Sequence, residues 1–240
     1  MSLLTANGLS KHFNGLVAVE DVSLSVPKGQ VRALIGPNGA GKTTLVGMLS
    51  GRIAPSSGAV SFNGQDVTAW PAHKRIAAGM GYTFQITSVF PNLSVWENVV
   101  LAARRKVSEN RRVNEAVNAA LERVGLLDRR SEDAGDLSYG HQRLLEIAMG
   151  LAQSPKLLIL DEPTQGLADG EVAAFNELID ELRGKTTVLL IEHNMDVVMQ
   201  VADFVTVLDA GKVLFEGAPD DVKASAVVQA AYLGGGDAAA

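Results

Sequence analysis

The chain has 240 residues, 47% of them hydrophobic and 20% charged, with no cysteine and a net charge of −6. That length suits one α/β unit with an ample core, and the missing cysteines exclude a disulfide scaffold, a thiol nucleophile and thiolate metal sites. The acidic balance argues against broad electrostatic binding to nucleic acid or anionic lipid, and no apolar run approaches the ~18–20 residues of a membrane-spanning helix.

The start of the chain lacks a basic region followed by a long apolar core, so no signal peptide is expected, and the composition reads as soluble, intracellular and globular. Residues 31–35 read as a buried strand that feeds a glycine-rich loop and then a helix over 42–50. Residues 55–58 read as a turn, and 59–62 with Asn63-Gly64 as a hairpin. Ser94 and Glu97 have capping-box spacing and open a helix over 97–106. After it, Val113, Ala116, Val117, Ala120, Leu121 and Val124 recur with helical period, and Gly125 supplies the stop. Residues 92–150 therefore read as a helical insertion in an otherwise α/β chain.

The α/β pattern resumes with a strand over 157–160, a helix over 170–182 and a strand over 186–191. Residues 205–208 and 213–215 read as a closing hairpin, and 234–240 as a frayed, unpatterned tail. With no internal repeat and no long linker, residues 1–240 are expected to form a single domain carrying a helical lobe.

The chemistry concentrates in a few motifs. Gly36-Pro-Asn-Gly-Ala-Gly-Lys-Thr43 matches G-x(4)-G-K-[ST] and lies between a strand and a helix. Its glycines let backbone N–H groups converge on phosphate at a helix N-terminus. Gly36, Asn38, Gly39, Ala40, Gly41, Lys42, Thr43 and Thr44 form this cradle. Lys42 would reach the β and γ phosphates, the Thr43 hydroxyl would hold Mg²⁺, and Thr44 would add a phosphate hydrogen bond. The apolar run before Asp161-Glu162 suits a strand that delivers Asp161 to Mg²⁺. Glu162 then polarises the attacking water. Read singly, Gln85 is an ordinary loop residue, His193 a satisfied histidine and Phe13 a core aromatic. His12 and His73 read as surface residues, and Arg104, Arg105, Lys106, Arg111 and Arg112 as a solvated face.

The order of phosphate loop, Gln85, Leu137-Ser-Tyr-Gly-His141, Asp161-Glu162 and His193 resembles the ATP-binding subunit of an ABC transporter over residues 3–234. The resemblance implies a P-loop NTPase (RecA-like) core with a small antiparallel β subdomain and an inserted helical subdomain. It implies ATP and Mg²⁺ as cofactors and a dimer, homomeric or with a second such ATPase. In that dimer Ser138 and Gly140 would grip the γ-phosphate held by the partner's phosphate loop. Gln85 would contact Mg²⁺ or the attacking water, His193 would hydrogen-bond the γ-phosphate, and Phe13 would stack on adenine. Two departures stand out. The usual LSGGQ signature reads LSYGH, with Tyr139 and His141 substituted, and Ala168 stands where the family often has Asp; Asp169 is expected to cap the helix that follows.

The stretch from Ile191 to Met199, Tyr139, the run from Leu145 to Ala148 and Tyr232 near the end resemble ATPases of high-affinity branched-chain amino acid importers. That resemblance implies transmembrane permease subunits, an indirect periplasmic or lipid-anchored solute-binding protein, and a peripheral place on the cytoplasmic face of the inner or plasma membrane. Urea or other small organic solutes, and lipopolysaccharide export, are the alternatives. A DNA or ribosome ATPase of this type usually has a long coiled-coil insertion, for which the interval from Gly39 to Leu137 is too short. No nucleic-acid partner is expected.

Overall fold

The computed structural model describes residues 1–83 and 88–233. In chain order it runs β1 (Ser2–Phe13), β2 (Leu16–Pro27), β3 (Val31–Ile35), α1 (Lys42–Ser50), β4 (Ser57–Phe62), β5 (Gln65–Asp66), α2 (Ala72–Ala78) and β6 (Met80–Tyr82). It continues through α3 (Val95–Ala103), α4 (Asn110–Arg123), two single-turn 3-10 segments (Leu127–Arg129 and Ala134–Asp136) and α5 (Tyr139–Leu151). Then come β7 (Leu157–Asp161), α6 (Asp169–Leu182), β8 (Thr187–Ile191) and α7 (Met195–Val201). β9 (Phe204–Asp209), β10 (Lys212–Gly217), α8 (Pro219–Ala224) and α9 (Ala226–Leu233) follow.

The strands divide into a four-stranded antiparallel sheet, ordered β2-β1-β4-β5, and a six-stranded sheet, ordered β10-β9-β3-β8-β7-β6. Within the larger sheet β9, β3, β8, β7 and β6 run parallel and only β10 is antiparallel. Parallel strands are covered on both faces, which is why β3, β7 and β8 are buried at every position. Their side chains alternate between two cores. Leu157 and Ile159 with Leu189 and Ile191 join α1 and the antiparallel sheet, while Leu158 and Leu160 with Val188 and Leu190 join α3, α4, α5 and α6. The α/β P-loop fold expected from the motifs is the fold observed, and the helices between 92 and 150 share one apolar cluster with a face of the main sheet.

Local chemistry explains most boundaries. Ser94 accepts from Glu97 N, and Glu97 returns a bond to Ser94 N at 2.9 Å, so the capping box is real and α3 starts right after it. The helix is shifted from the expected 97–106: residues 104–106 tighten into turns, with Arg105 N and Lys106 N bonding to carbonyls three residues back. Gly125 adopts φ 69 just after α4. In the 55–58 turn, Ser57 and Gly58 already belong to β4, because Ser57 pairs with Ser10. The two expected hairpins turn on Asn63-Gly64 and Ala210-Gly211, all four residues at positive φ as two-residue turns require.

β1 and β2 were not among the expected elements. Their pairing shifts register four times, between Ser2 and Leu4, Ala6 and Leu9, Leu9 and Lys11, and Lys11 and His12. In β1 these shifts interrupt the period-2 alternation, whereas β2 keeps it over Val22, Leu24 and Val26, and the Asn14-Gly15 turn between them is a hairpin signal left out of the expected elements. The tail over 234–240 lies outside the described residues.

Candidate active site

The motifs leave the main sheet at one edge. β3, β8, β7 and β6 are parallel neighbours, and their carboxyl ends lead into loop 36–41, Glu192-His193, the Asp161-Glu162 pair and the stretch after Tyr82. In open parallel sheets this edge collects ligands, since the connecting loops and helix N-termini face it.

After Ile35 the chain turns through Gly36 at φ 151, Gly39 at φ 81 and Gly41 at φ 97. Gly36 admits nothing larger, because a Cβ there would collide with the Leu208 carbonyl. α1 begins at Lys42 with no side-chain cap and no acidic residue in its first turn, so its leading N–H groups remain directed at the loop. Asn38 and Thr43 are exposed, Thr44 is half-buried and Ala40 is buried, with its carbonyl accepting from Gly211 N. Lys42 Nζ donates to the carbonyls of Gly36 (2.6 Å) and Pro37 (3.0 Å). Burial lowers the Lys42 pKa, and the charges of Glu162 and Asp161 oppose that shift, so the ammonium and both carboxylates share one field.

Asp161 is buried at the end of β7. Its Oδ2 accepts from the Tyr82 hydroxyl at 2.7 Å, and that hydroxyl accepts from Arg52 Nη2 at 2.5 Å. The Arg52 guanidinium also lies 4.1 Å from the Tyr82 ring centre. Burial, then the bond to Asp161, raises the Tyr82 phenol pKa, which keeps it a neutral donor. Glu162 follows at φ 49, a left-handed conformation uncommon for a side chain of its kind. Its N–H is held by the Ile191 carbonyl at 2.9 Å, so the kink is fixed by the neighbouring strand.

Two buried groups hold these ends together, and residue spacing gave no sign of either. The Glu192 carboxylate, fully buried, accepts from Thr164 N (3.1 Å), Thr164 Oγ (2.5 Å), His193 N (3.1 Å) and Asn194 N (3.2 Å). It ties the turn after β8, where the His193 side chain is exposed, to the turn after β7. Arg143, 1% exposed, donates from α5 to the carbonyls of Asp161 (2.8 Å) and Glu162 (3.1 Å) and to Glu146 (2.9 Å). Burial raises the Glu146 pKa, against the bonds from Ser88 N and Arg143.

The remaining expected residues fall in two places. Phe13 sits at the exposed end of β1 with Lys11 Nζ 5.0 Å from its ring centre, and the paired strand β2 carries Ala18 and Val19 against Gly41. Ser138 caps α5, and Gly140 lies against Glu171, whose carboxylate would collide with any Cβ there. Ser138 bonds to His141 and Gln142 of its own helix, and Gly140 lies against Glu171. His12 and His73 are exposed as expected. Asp169 does not cap α6: Ala168 is the cap residue, and Glu171 Oε2 accepts from its N–H at 2.9 Å. Gln85 lies outside the described residues.

An open groove of about 380 Å³ runs beside β6, lined among others by Tyr82, Phe90, Leu101, Arg105, Glu146 and Met149. Among the described residues no cluster of three or more His, Asp or Glu could hold a metal by itself. Mg²⁺ does not need one, because it takes one or two protein oxygens and completes its shell with phosphates and water. The carboxylate of Asp161, close enough to feel Lys42, and the exposed Thr43 hydroxyl fit that requirement. No helix of the described residues is long and apolar enough to cross a membrane.

Comparison with known proteins gives consistent relatives. Residues 19–165 match the ABC transporter family model, and residues 212–238 match a model described as branched-chain amino acid ATP-binding cassette transporter. The chain is 38% identical to the high-affinity branched-chain amino acid transport ATP-binding protein LivG of Salmonella typhimurium, over 97% of this chain and 98% of that one. It is 35% identical to the lipopolysaccharide export system ATP-binding protein LptB of Haemophilus influenzae, over 98% of each. The crystal structure of the ADP conformation of MJ1267, an ATP-binding cassette of an ABC transporter, superposes with a TM-score of 0.89 at 30% identity, covering 98% of this chain and 99% of that one.

Proposed function

This chain belongs to the ABC transporter family and is one of its ATPases, and from that premise we propose that it powers import of branched-chain amino acids through transmembrane permease subunits. The observation that carries the reading is the convergence of loop 36–41, Asp161-Glu162 and His193 on adjacent strand ends of one sheet. The 38% identity to LivG over nearly the whole chain supports the cargo, together with the match at 212–238. A second reading, lipopolysaccharide export, rests on the 35% identity to LptB.

In the proposed site, backbone N–H groups of the loop and of α1 bind the phosphates. Lys42 leaves the Gly36 and Pro37 carbonyls to neutralise the β and γ oxygens. Thr44 adds a hydrogen bond, and Phe13 offers adenine a ring face. Thr43, Asp161 and Gln85 would hold Mg²⁺, which when bound would draw charge from the phosphate oxygens. Glu162, turned off the strand end by its left-handed backbone, accepts a proton from the attacking water, and His193 hydrogen-bonds the γ-phosphate. Phosphoryl transfer of this kind depends on positioning and charge stabilisation more than on base strength. Ser138 and the Gly140 amide complete a second copy's site, so ATP favours a closed head-to-tail dimer and hydrolysis reopens it. Whether the second copy is identical or a related ATPase does not alter this chemistry.

The groove beside β6 is the proposed seat for a cytoplasmic loop of the permease, which would keep the chain peripheral on the cytoplasmic membrane face. A continuous set of bonds supports it: Ser88 N to Glu146, Glu146 to Arg143, and Arg143 to the carbonyls of Asp161 and Glu162. A shift of the loop beside the groove therefore reaches the backbone that carries Asp161 and Glu162 through three successive contacts. The test is transport in proteoliposomes containing this chain, its two permeases and a solute-binding protein. ATP-driven uptake of labelled leucine, with urea untransported, is expected; leucine-independent ATPase activity with no leucine uptake would contradict the assignment.

A further inference from the structure

The fifth position of the signature holds a histidine, and the structure engages it directly with the serine that grips phosphate in the proposed dimer. His141 Nδ1 lies 2.7 Å from Ser138 Oγ and 3.0 Å from Arg129 Nη1. A guanidinium can only donate, so Nδ1 presents its lone pair to Arg129, and the imidazole is neutral in this arrangement. Ser138 Oγ meanwhile accepts from the His141 backbone N–H at 3.3 Å. The hydroxyl proton of Ser138 therefore points at Nδ1, whose single lone pair is shared between the hydroxyl at 2.7 Å and the guanidinium at 3.0 Å. The bond that the serine would donate to a γ-phosphate oxygen is given to the histidine instead.

A proton on Nδ1 reverses the pair. The imidazolium donates to Ser138 Oγ, and the hydroxyl proton is released for the phosphate. Arg129 loses its acceptor on the ring but keeps Glu132, whose carboxylate it grips at 2.7 to 3.0 Å. Glu171, reaching from α6, sits with Oε1 3.7 Å from Nδ1 and is placed to balance the new charge. The same carboxylate lies against Gly140 and is pinned by Ala168 N, so it cannot swing away cheaply. The charged groups around the ring are thus Arg129 and Glu171, with Glu132 behind Arg129.

We propose that His141 is a positioning residue that switches the Ser138 hydroxyl between an internal bond and the γ-phosphate of the second copy, so that protonation of His141 strengthens the ATP-bound dimer. This rests on the proposed trans role of Ser138, and the experiment separates the two. Dimerisation of full-length Glu162→Gln protein with saturating ATP is measured by sedimentation velocity from about pH 8 to about pH 6, the interval over which imidazoles commonly titrate. Restoring one hydrogen bond of ~1 kcal/mol at each of the two sites of a symmetric dimer, about fivefold per site, corresponds to a roughly 25-fold tighter dimer at the acidic end.

The same series is run with His141→Gln and, in case that variant unfolds, His141→Asn; neither side chain can be protonated. Titration of ATP itself is common to all proteins and cancels in the comparison. The expected result is a pH-dependent gain present with His141 and absent from both substituted proteins. Equal gains in all three overturn the switch. Ser138→Ala supplies the second arm. If it leaves dimerisation unchanged, the trans role of Ser138 fails; if it weakens dimerisation while the His141 variants keep the original pH slope, only the switch fails.

Discussion

Glu192 offers the sharpest structural prediction, because one buried carboxylate satisfies four donors at once. Glu192→Gln preserves the volume but replaces one acceptor oxygen by a donor. If the amide nitrogen faces His193 and Asn194, two backbone N–H groups lose their acceptor. If it faces Thr164, the hydroxyl can reverse and accept, but Thr164 N still opposes a donor. The cheaper orientation leaves at least one buried N–H unsatisfied, at ~1–3 kcal/mol, and weakens the other bonds by removing their charge assistance. Relief from holding a buried charge returns part of this, so we expect a net loss of ~2–4 kcal/mol. Urea unfolding should show a lower midpoint at unchanged slope. At ~2–4 °C per kcal/mol for a chain of this size, the melting temperature should drop by roughly 4–16 °C. ATP hydrolysis should fall with it, since the His193 backbone hangs from the same carboxylate. A variant within ~0.5 kcal/mol of the parent, with full activity, would refute the anchoring role.

Two further outcomes follow from the same geometry. Tyr82→Phe removes the donor that fixes Asp161 Oδ2, so the Mg²⁺ concentration for half-maximal ATPase activity and for Mg²⁺-dependent ATP binding by calorimetry should both rise about fivefold or more, for a bond of ~1–1.5 kcal/mol; an unchanged Mg²⁺ requirement would show that Asp161 is oriented without it. The purified chain alone should show no heat of leucine binding, because the proposed solute sites belong to its partners. Micromolar leucine binding would overturn that division.

What the sequence exposed and what it concealed separate by range. The phosphate loop, the strand before Asp161-Glu162 and the Ser94 capping box are each written within a few consecutive residues, and they stand as read. Bulges interrupt the alternation of β1, but Val22, Leu24 and Val26 of β2 alternate in plain view after the Asn14-Gly15 turn and were missed without a physical reason. The Arg52–Tyr82–Asp161 set, the Arg143 bridge and the Glu192 anchor join residues far apart in the chain, so no local pattern announces them. Asp169 misled because its residue type favours caps, whereas the backbone turns one residue earlier and Glu171 supplies the returning bond. The contact between Ser138 and His141 was available in principle: a serine cap followed three residues later by a hydrogen-bonding side chain is capping-box spacing.

The central claim is that ATP joins two copies of this chain through the site at the strand ends. Sedimentation of Glu162→Gln protein with and without ATP tests it most directly. The account predicts monomer without nucleotide, dimer with ATP, and loss of that dimer when Lys42→Ala is added. Protein that binds ATP by calorimetry yet stays monomeric at saturation would contradict it.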